Sequence, residues 1–186
     1  MEIKKLIQIR KIKIDSKSIK FTKKTRLWCQ LPYPNHPKGC PNYYKNPNCP
    51  PSAKFMKKIL SDYLHFYLIY AKFDLKIQKE RMLLLHPNWS NRQANCLLYW
   101  QNSVKKELKN YIKKIYIMNK NFDLFLLSCG SGFNSNDYNQ GKVYSMEAAG
   151  IDVFKTLKNN NISFEIKPKN KVLLITLLCS NEKLLI

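Results

Sequence analysis

The chain has 186 residues, 45% of them hydrophobic, which is enough apolar material for one domain with a buried core. No apolar run reaches the roughly 18 residues of a membrane-spanning helix, and the N-terminal residues lack the apolar centre of a signal peptide. We therefore expect a single domain over residues 1–186, located in the cytoplasm and without a membrane partner.

The 33 Lys and Arg residues outnumber the 12 Asp and Glu residues, which gives a formal net charge of +21. Clustered cations bind phosphates by releasing counterions, and this favours RNA or DNA as a partner. The lysines, however, are scattered over every segment, and Lys, Asn and Ile are abundant while Arg is scarce, as in a genome rich in A and T. The charge therefore indicates either a nucleic-acid surface or a basic surface produced by compositional drift.

Residues 1–22 predict strand structure. Ile7, Ile9, Ile12 and Ile14 stand among lysines, a pattern typical of one or two amphipathic strands, paired as a hairpin at the edge of a sheet.

Residues 29–51 form a loop rich in cysteine and proline, with almost no aliphatic residues. It contains Cys29, Cys40 and Cys49. Proline fixes φ and restricts the residue before it, so the loop is stiff and its three thiols can converge on one centre at a reduced ordering cost. Cytoplasmic thiols stay reduced, which favours metal ligands or buried side chains over disulfides.

The cysteine spacing itself, C-x10-C-x8-C, is not the C-x2-C pattern of common zinc sites. Proline follows Cys40 and Cys49, as it follows the last cysteine of a bacterial ferredoxin run. These features predict either an iron–sulfur cluster or Zn²⁺. His36, in the same loop, is an alternative ligand that suits zinc better than a cluster.

Residues 52–178 read as an alternation of helices and buried strands. Continuous apolar runs predict strands at 66–73, 122–128 and 172–178, and helical spacing predicts helices over 75–85 and 145–159. Ser90, with Gln93 completing a capping box, predicts the start of a long helix. The expected fold is α/β or α+β, with a mixed sheet of about four to six strands flanked by helices.

A fourth ligand must come from outside the loop. Cys129 is our choice because it ends a predicted buried strand, the usual place for a site residue in such a sheet. Cys96, within the predicted Ser90 helix, is the alternative, although a small buried side chain is the simpler interpretation. The polar face of that helix carries Lys105, Lys106, Lys109, Lys113 and Lys114, which is the candidate surface for a nucleic-acid partner.

Several motifs of the chain resemble those of a family of small predicted metal-binding proteins found in archaea and anaerobic bacteria. They are Cys40-Pro-Asn-Tyr-Tyr-Lys, Cys49-Pro-Pro, His86-Pro-Asn-Trp-Ser-Asn-Arg-Gln, Cys96-Leu-Leu-Tyr-Trp and Met146-Glu-Ala-Ala-Gly-Ile-Asp-Val-Phe-Lys-Thr, between about residues 29 and 178. The resemblance implies an iron–sulfur or zinc site, with ligands at Cys29, Cys40 and Cys49 and a further one at Cys129. Some such proteins carry a second, ferredoxin-like cluster, where this chain has a loop rich in Gly and Asn.

The sequence predicts no reaction. No metalloprotease, hydrolase or kinase motif is present, and a Cys–His nucleophile formed by Cys29 or Cys40 with a histidine is the enzymatic alternative. A redox or enzyme partner protein is expected if the metal serves in electron transfer or as an accessory group.

Overall fold

The computed structural model describes residues 2–32, 36–128, 130, 133, 138, 140 and 143–185. Within these residues one five-stranded sheet is formed. Its strands are β1 (Ile7–Ile14), β2 (His65–Asp74), β3 (Leu124–Ser128), β4 (Tyr144–Ser145) and β5 (Lys171–Ser180). The spatial order is β1-β2-β5-β3-β4, in which only β3 and β4 pair in parallel. The predicted mixed sheet flanked by helices is confirmed, and the class is α+β.

The helices vary widely in length. They are α1 (Lys24–Leu27), α2 (Lys57–Leu60), α3 (Leu75–Leu85), α4 (Asn91–Ala94), α5 (Gln101–Met118) and α6 (Val153–Asn159). Short 3₁₀ segments lie at Ile3–Leu6, Ser16–Ser18, Trp28–Gln30 and Leu97–Tyr99. In the described part of the chain no helix is both long enough and apolar enough to cross a bilayer.

The central strand β2 is covered on both faces, as its continuous apolar run predicts. Its odd-numbered residues, such as Tyr67 and Ile69, pack into one core cluster, and Phe66 and Leu68 pack into a second. Helix α5 covers the first face through its buried stripe Val104, Leu108, Ile112 and Ile115. Helix α6 and the segments around α2 cover the second face. Two cores on opposite sides of one sheet therefore hold the fold together.

The N-terminal prediction is confirmed in part. Residues 7–14 form the single strand β1, which pairs only with β2 and therefore lies at the edge of the sheet. The second strand of the expected hairpin is absent, and Ser16–Ser18 instead form a 3₁₀ turn whose N-terminus is capped by the Asp15 side chain.

The Ser90 capping box is confirmed, but the helix it starts is short. The Ser90 N–H donates to Gln93 Oε1 at 2.8 Å, and the Gln93 N–H donates to Ser90 Oγ at 3.3 Å. Helix α4 ends at Ala94, and the long helix α5 begins only at Gln101. Between them the chain turns so that Trp100 is buried, with its ring stacked on Phe73 at a centroid distance of 5.0 Å.

The predicted 145–159 helix is wrong in its first half. Gly150 has φ of +92°, a left-handed conformation that interrupts a right-handed helix. Helix α6 begins after it, capped by Asp152, whose carboxylate accepts a 3.0 Å hydrogen bond from the Lys155 N–H. Residues 146–150 form a turn instead, and this turn contributes to the candidate site.

Candidate metal centre

A cavity of about 520 Å³ lies between the cysteine loop and the segment around β4. Its polar lining comprises Cys29, Cys40, Cys49, Asn42, Asn46, Asn48, Thr25, Ser145 and Glu147, and the rings of Trp28 and Phe133 are among its apolar lining. The three loop cysteines, separated by ten and eight residues in sequence, therefore surround one space. Each of the three is a free thiol and partly buried.

The first two cysteines are held together by the backbone. The Cys40 N–H donates a 2.7 Å hydrogen bond to the Cys29 carbonyl oxygen. Gly39, which precedes Cys40, has φ of +83°, and a Cβ atom at Gly39 would lie 2.5 Å from the same carbonyl oxygen. Only glycine therefore permits this approach of the two chain segments without a shift of the backbone.

Hydrogen bonds fix the second half of the loop. The Cys49 N–H donates to the Asn46 carbonyl at 2.9 Å, and the Tyr44 N–H donates to the Pro50 carbonyl at 3.1 Å. The Arg26 guanidinium, on helix α1, donates to the carbonyl oxygens of Pro51 and Ala53 at 2.9 and 2.5 Å. Polar contacts thus order a segment that has little apolar surface to bury.

The opposite wall is the turn that carries Glu147. The Thr25 hydroxyl donates to the Glu147 carbonyl at 3.1 Å, and the Met56 N–H donates to the Ala149 carbonyl at 3.0 Å. The Phe55 ring packs so closely against Gly150 that a Cβ atom there would overlap it. The turn is therefore hydrogen-bonded both to the segment before the cysteine loop and to the segment after it.

The acidic groups of the cavity disfavour each other's ionisation. Burial raises the pKa of the Cys29 thiol, and the negative charges of Cys40, Cys49 and Glu147 raise it further. Burial, with a contribution from Cys40, also raises the pKa of Cys49. Burial raises the pKa of Glu147 as well, against hydrogen bonds from its own backbone and from Ser145. A bound cation would relieve this repulsion, because it favours the ionised form of all four groups.

The raised pKa values count against the Cys–His nucleophile. A catalytic thiol is activated by a lowered pKa, which needs a nearby positive charge or helix N-terminus. Of the thiols in that alternative, Cys29 shows the opposite shift. The direction of its pKa shift therefore does not favour Cys29 as an activated nucleophile.

The donor set suits a thiophilic metal, but the donors are not yet at coordination distance. Three thiols and a carboxylate are ligands that zinc and iron–sulfur clusters accept. Among the described residues, no group of three His, Cys, Asp or Glu side chains could hold an ion as they stand. Because a zinc–sulfur bond is only about 2.3 Å long, the thiols would have to draw closer together on binding.

A further polar atom of the cavity has no partner. Asn48 Oδ1 is buried and accepts no hydrogen bond from the described residues, although Asn48 lines the cavity. A buried acceptor without a donor is costly in a folded protein.

The remaining predicted ligands lie elsewhere or cannot be placed. Cys129 lies outside the described residues, so its choice as fourth ligand stays a prediction. His36 and Cys96 do not line the cavity. Cys179 is fully buried in the second core cluster, where it packs as a small apolar side chain.

The model of one known protein family matches most of the chain. The model of a family described as predicted metal-binding protein (DUF2284) matches residues 12–179. The chain belongs to the DUF2284 family. No curated protein and no solved structure matches it. The matched range includes the cysteine loop, the turn at Glu147, the whole of β2 and β3, and all of β5 except its last residue.

The position of Glu147 in the cavity wall of this DUF2284 protein was not predicted, because the predicted 145–159 helix places the residue in its first turn. The signal that could have corrected it is Gly150, three residues later, which falls inside the predicted 145–159 helix. A left-handed glycine followed by an Asp cap marks a turn and a new helix start. This interpretation places Glu147 in a turn before the helix rather than in the first turn of the helix.

Proposed function

We propose that this DUF2284 protein binds its metal, as an iron–sulfur cluster or as Zn²⁺, through the thiolates of Cys29, Cys40 and Cys49. The observation that carries the proposal is the convergence of these three cysteines on one cavity. Bound there, the metal would supply either one-electron chemistry as a cluster or structural cross-linking as zinc. The loop contributes its stiffness and the backbone hydrogen bonds that hold Cys40 and Cys49. Trp28 and Phe133 add aromatic lining to the cavity.

Elemental analysis of protein purified without oxygen tests this proposal. We expect stoichiometric iron and sulfide, or stoichiometric zinc, and broad charge-transfer absorption only in the cluster case. Cys40→Ser should lose the metal, and Cys96→Ser, which removes a partly buried cysteine outside the cavity, should retain it. Protein purified without oxygen that carries neither iron with sulfide nor zinc, or a Cys40→Ser variant that retains the full metal content, would contradict the proposal.

We propose nucleic-acid binding as a second candidate function, because a basic groove lies on the described surface. Arg10, Lys11, Lys72 and Lys171 line a cavity of about 450 Å³, together with the ring of Tyr70. None of these four cations forms an ion pair with a carboxylate of the described residues. Unneutralised cations beside an aromatic ring are the features that bind phosphates and a stacked base.

Fluorescence anisotropy with a labelled single-stranded oligonucleotide separates this groove from the lysines of α5. We expect Lys72→Ala to weaken binding and to reduce the salt slope by about one. The control Lys106→Ala removes the same charge from the exposed face of α5 and should leave binding unchanged. Equal effects of the two variants would assign the binding to general charge, and no binding at about 50 mM salt would exclude the function.

A further inference from the structure

We propose that Glu147 supplies an oxygen donor to the metal held by the three loop thiols, an inference that rests on the proposed function above. Three thiolates leave a tetrahedral ion one ligand short. Glu147 lines the same cavity as Cys29, Cys40 and Cys49, and its charge interacts with that of Cys29. Carboxylate oxygen is an ordinary ligand of zinc.

The backbone that carries Glu147 is held in place before any ion binds. The Met146 N–H donates to the Ser128 carbonyl at 3.0 Å, which ties the turn to the end of β3. The Ile151 N–H closes the turn onto the Met146 carbonyl at 2.8 Å. With the bond from the Thr25 hydroxyl to the Glu147 carbonyl, the turn is fixed to the helix that leads into Cys29. Such preorganisation is what a ligand residue requires.

Glu147 also has no counter-charge among the residues that the structure describes. The chain has 33 Lys and Arg residues for 12 Asp and Glu residues, so most carboxylates could find a cation. Yet in the described part of the chain no Lys, Arg or His side chain forms an ion pair with Glu147. A carboxylate in a largely enclosed site needs a neutralising partner, and a cation bound in the cavity that Glu147 lines would supply one.

Asn48 is a further polar residue of the same lining, beside the thiols. Its buried Oδ1 atom accepts no hydrogen bond from the described residues. The Asn48 backbone is fixed by its own N–H, which donates to Asn46 Oδ1 at 2.9 Å. Glu147 and Asn48 thus belong to the lining of the cavity that the three thiols share.

Cobalt titration of the metal-stripped, full-length protein without oxygen tests the assignment. Co²⁺ reports thiolate number through charge-transfer absorption and ligand geometry through its d–d bands. We expect Glu147→Gln to weaken Co²⁺ binding by at least the roughly 10-fold that loss of a supporting ligand partner causes, with the thiolate absorption retained and the d–d bands altered. Glu147→Cys should restore tight binding and add charge-transfer intensity. Glu80→Gln, on the exposed side of α3, should behave as the wild type.

The outcomes separate the two proposals. Wild-type protein without thiolate-to-cobalt absorption overturns the proposed function itself. Wild-type absorption that is unchanged in affinity and shape in Glu147→Gln, but reduced by one thiolate in Cys129→Ser, leaves the function standing and overturns the role of Glu147. Circular dichroism of each metal-free variant establishes that it is folded, and Glu147→Cys carries the test if Glu147→Gln is not.

Discussion

The backbone N–H of Cys40 donates its 2.7 Å hydrogen bond to the carbonyl oxygen of Cys29, across an intervening segment of ten residues that includes three prolines. This single contact brings the first two thiols to the same cavity. It depends on the conformation of Gly39, whose Cα lies against the Cys29 and Gln30 backbone. The geometry of the candidate site is therefore sensitive to a residue that has no side chain.

Gly39→Ala should separate Cys29 from Cys40. Its φ of +83° strains a residue with a Cβ by about 1–3 kcal/mol, and the added atom also overlaps backbone that cannot move aside. We expect lower stability and at least tenfold weaker Co²⁺ binding, measured by thermal unfolding and cobalt titration. Gly130→Ala is the matched control for stability, because Gly130 has φ of +64° but no atom of the described residues lies within 4 Å of the added atom. Equal losses in the two variants would refute the steric explanation.

Arg26→Ala should release the C-terminal end of the cysteine loop. The guanidinium makes two hydrogen bonds to loop carbonyls, and we expect a loss of about 1–2 kcal/mol in the free energy of unfolding. Trypsin should also cut the loop lysines faster. Arg92→Ala, at an exposed position of α4, should change stability by less than about 0.5 kcal/mol. An Arg26 variant as resistant to trypsin as the wild type would show that other contacts suffice.

Gly150→Ala should push the Phe55 ring out of its contact with the turn at Glu147. We expect a loss of about 2 kcal/mol or more, since the added Cβ overlaps the ring and the residue has a left-handed φ. Phe55→Ala removes the overlap, so the double variant should be less destabilised than the sum of the single variants, by about 0.5–3 kcal/mol. Denaturant unfolding of all four proteins measures this coupling, and strict additivity would contradict it.

Tyr63 should make stability fall at alkaline pH. Burial, with a contribution from the charge of Asp123, raises the pKa of Tyr63 to about 12. The unfolded phenol ionises near pH 10, so between about pH 10 and 12 the unfolded state loses this proton first and unfolding becomes more favourable. Urea unfolding across this range should show a shallower pH dependence in Tyr63→Phe. Tyr44→Phe, which alters a tyrosine that is 73% exposed, should retain the wild-type slope.

The sheet could be predicted because its strands carry strong local signals. Residues 66–73 are apolar on both faces, and the structure places them at the centre of β2, between β1 and β5. Helix α3 begins at Leu75 and ends at Leu85, as its spacing predicts. Signals of this kind are local in sequence, and burial then reinforces them.

Other features depend on contacts between distant segments and could not be predicted. The break between α4 and α5 accompanies the packing of Trp100 on Phe73. We found no signal for this break in the sequence near Ala94. The place of Glu147 beside Cys29 requires a turn that docks on residues more than 90 positions earlier. The convergence of the thiols was predicted from the stiffness of the loop, whereas the wall facing them was not.

Both margins of the sheet are poorly suited to accept another strand. On one side β1 presents the exposed residues Gln8, Arg10 and Lys13. The positive charges of Arg10 and Lys13 repel the same strand of a second copy. On the other side β4 is only two residues long, which offers too few backbone groups for pairing. Charged side chains at one margin and the shortness of the strand at the other therefore disfavour pairing with a strand of another chain.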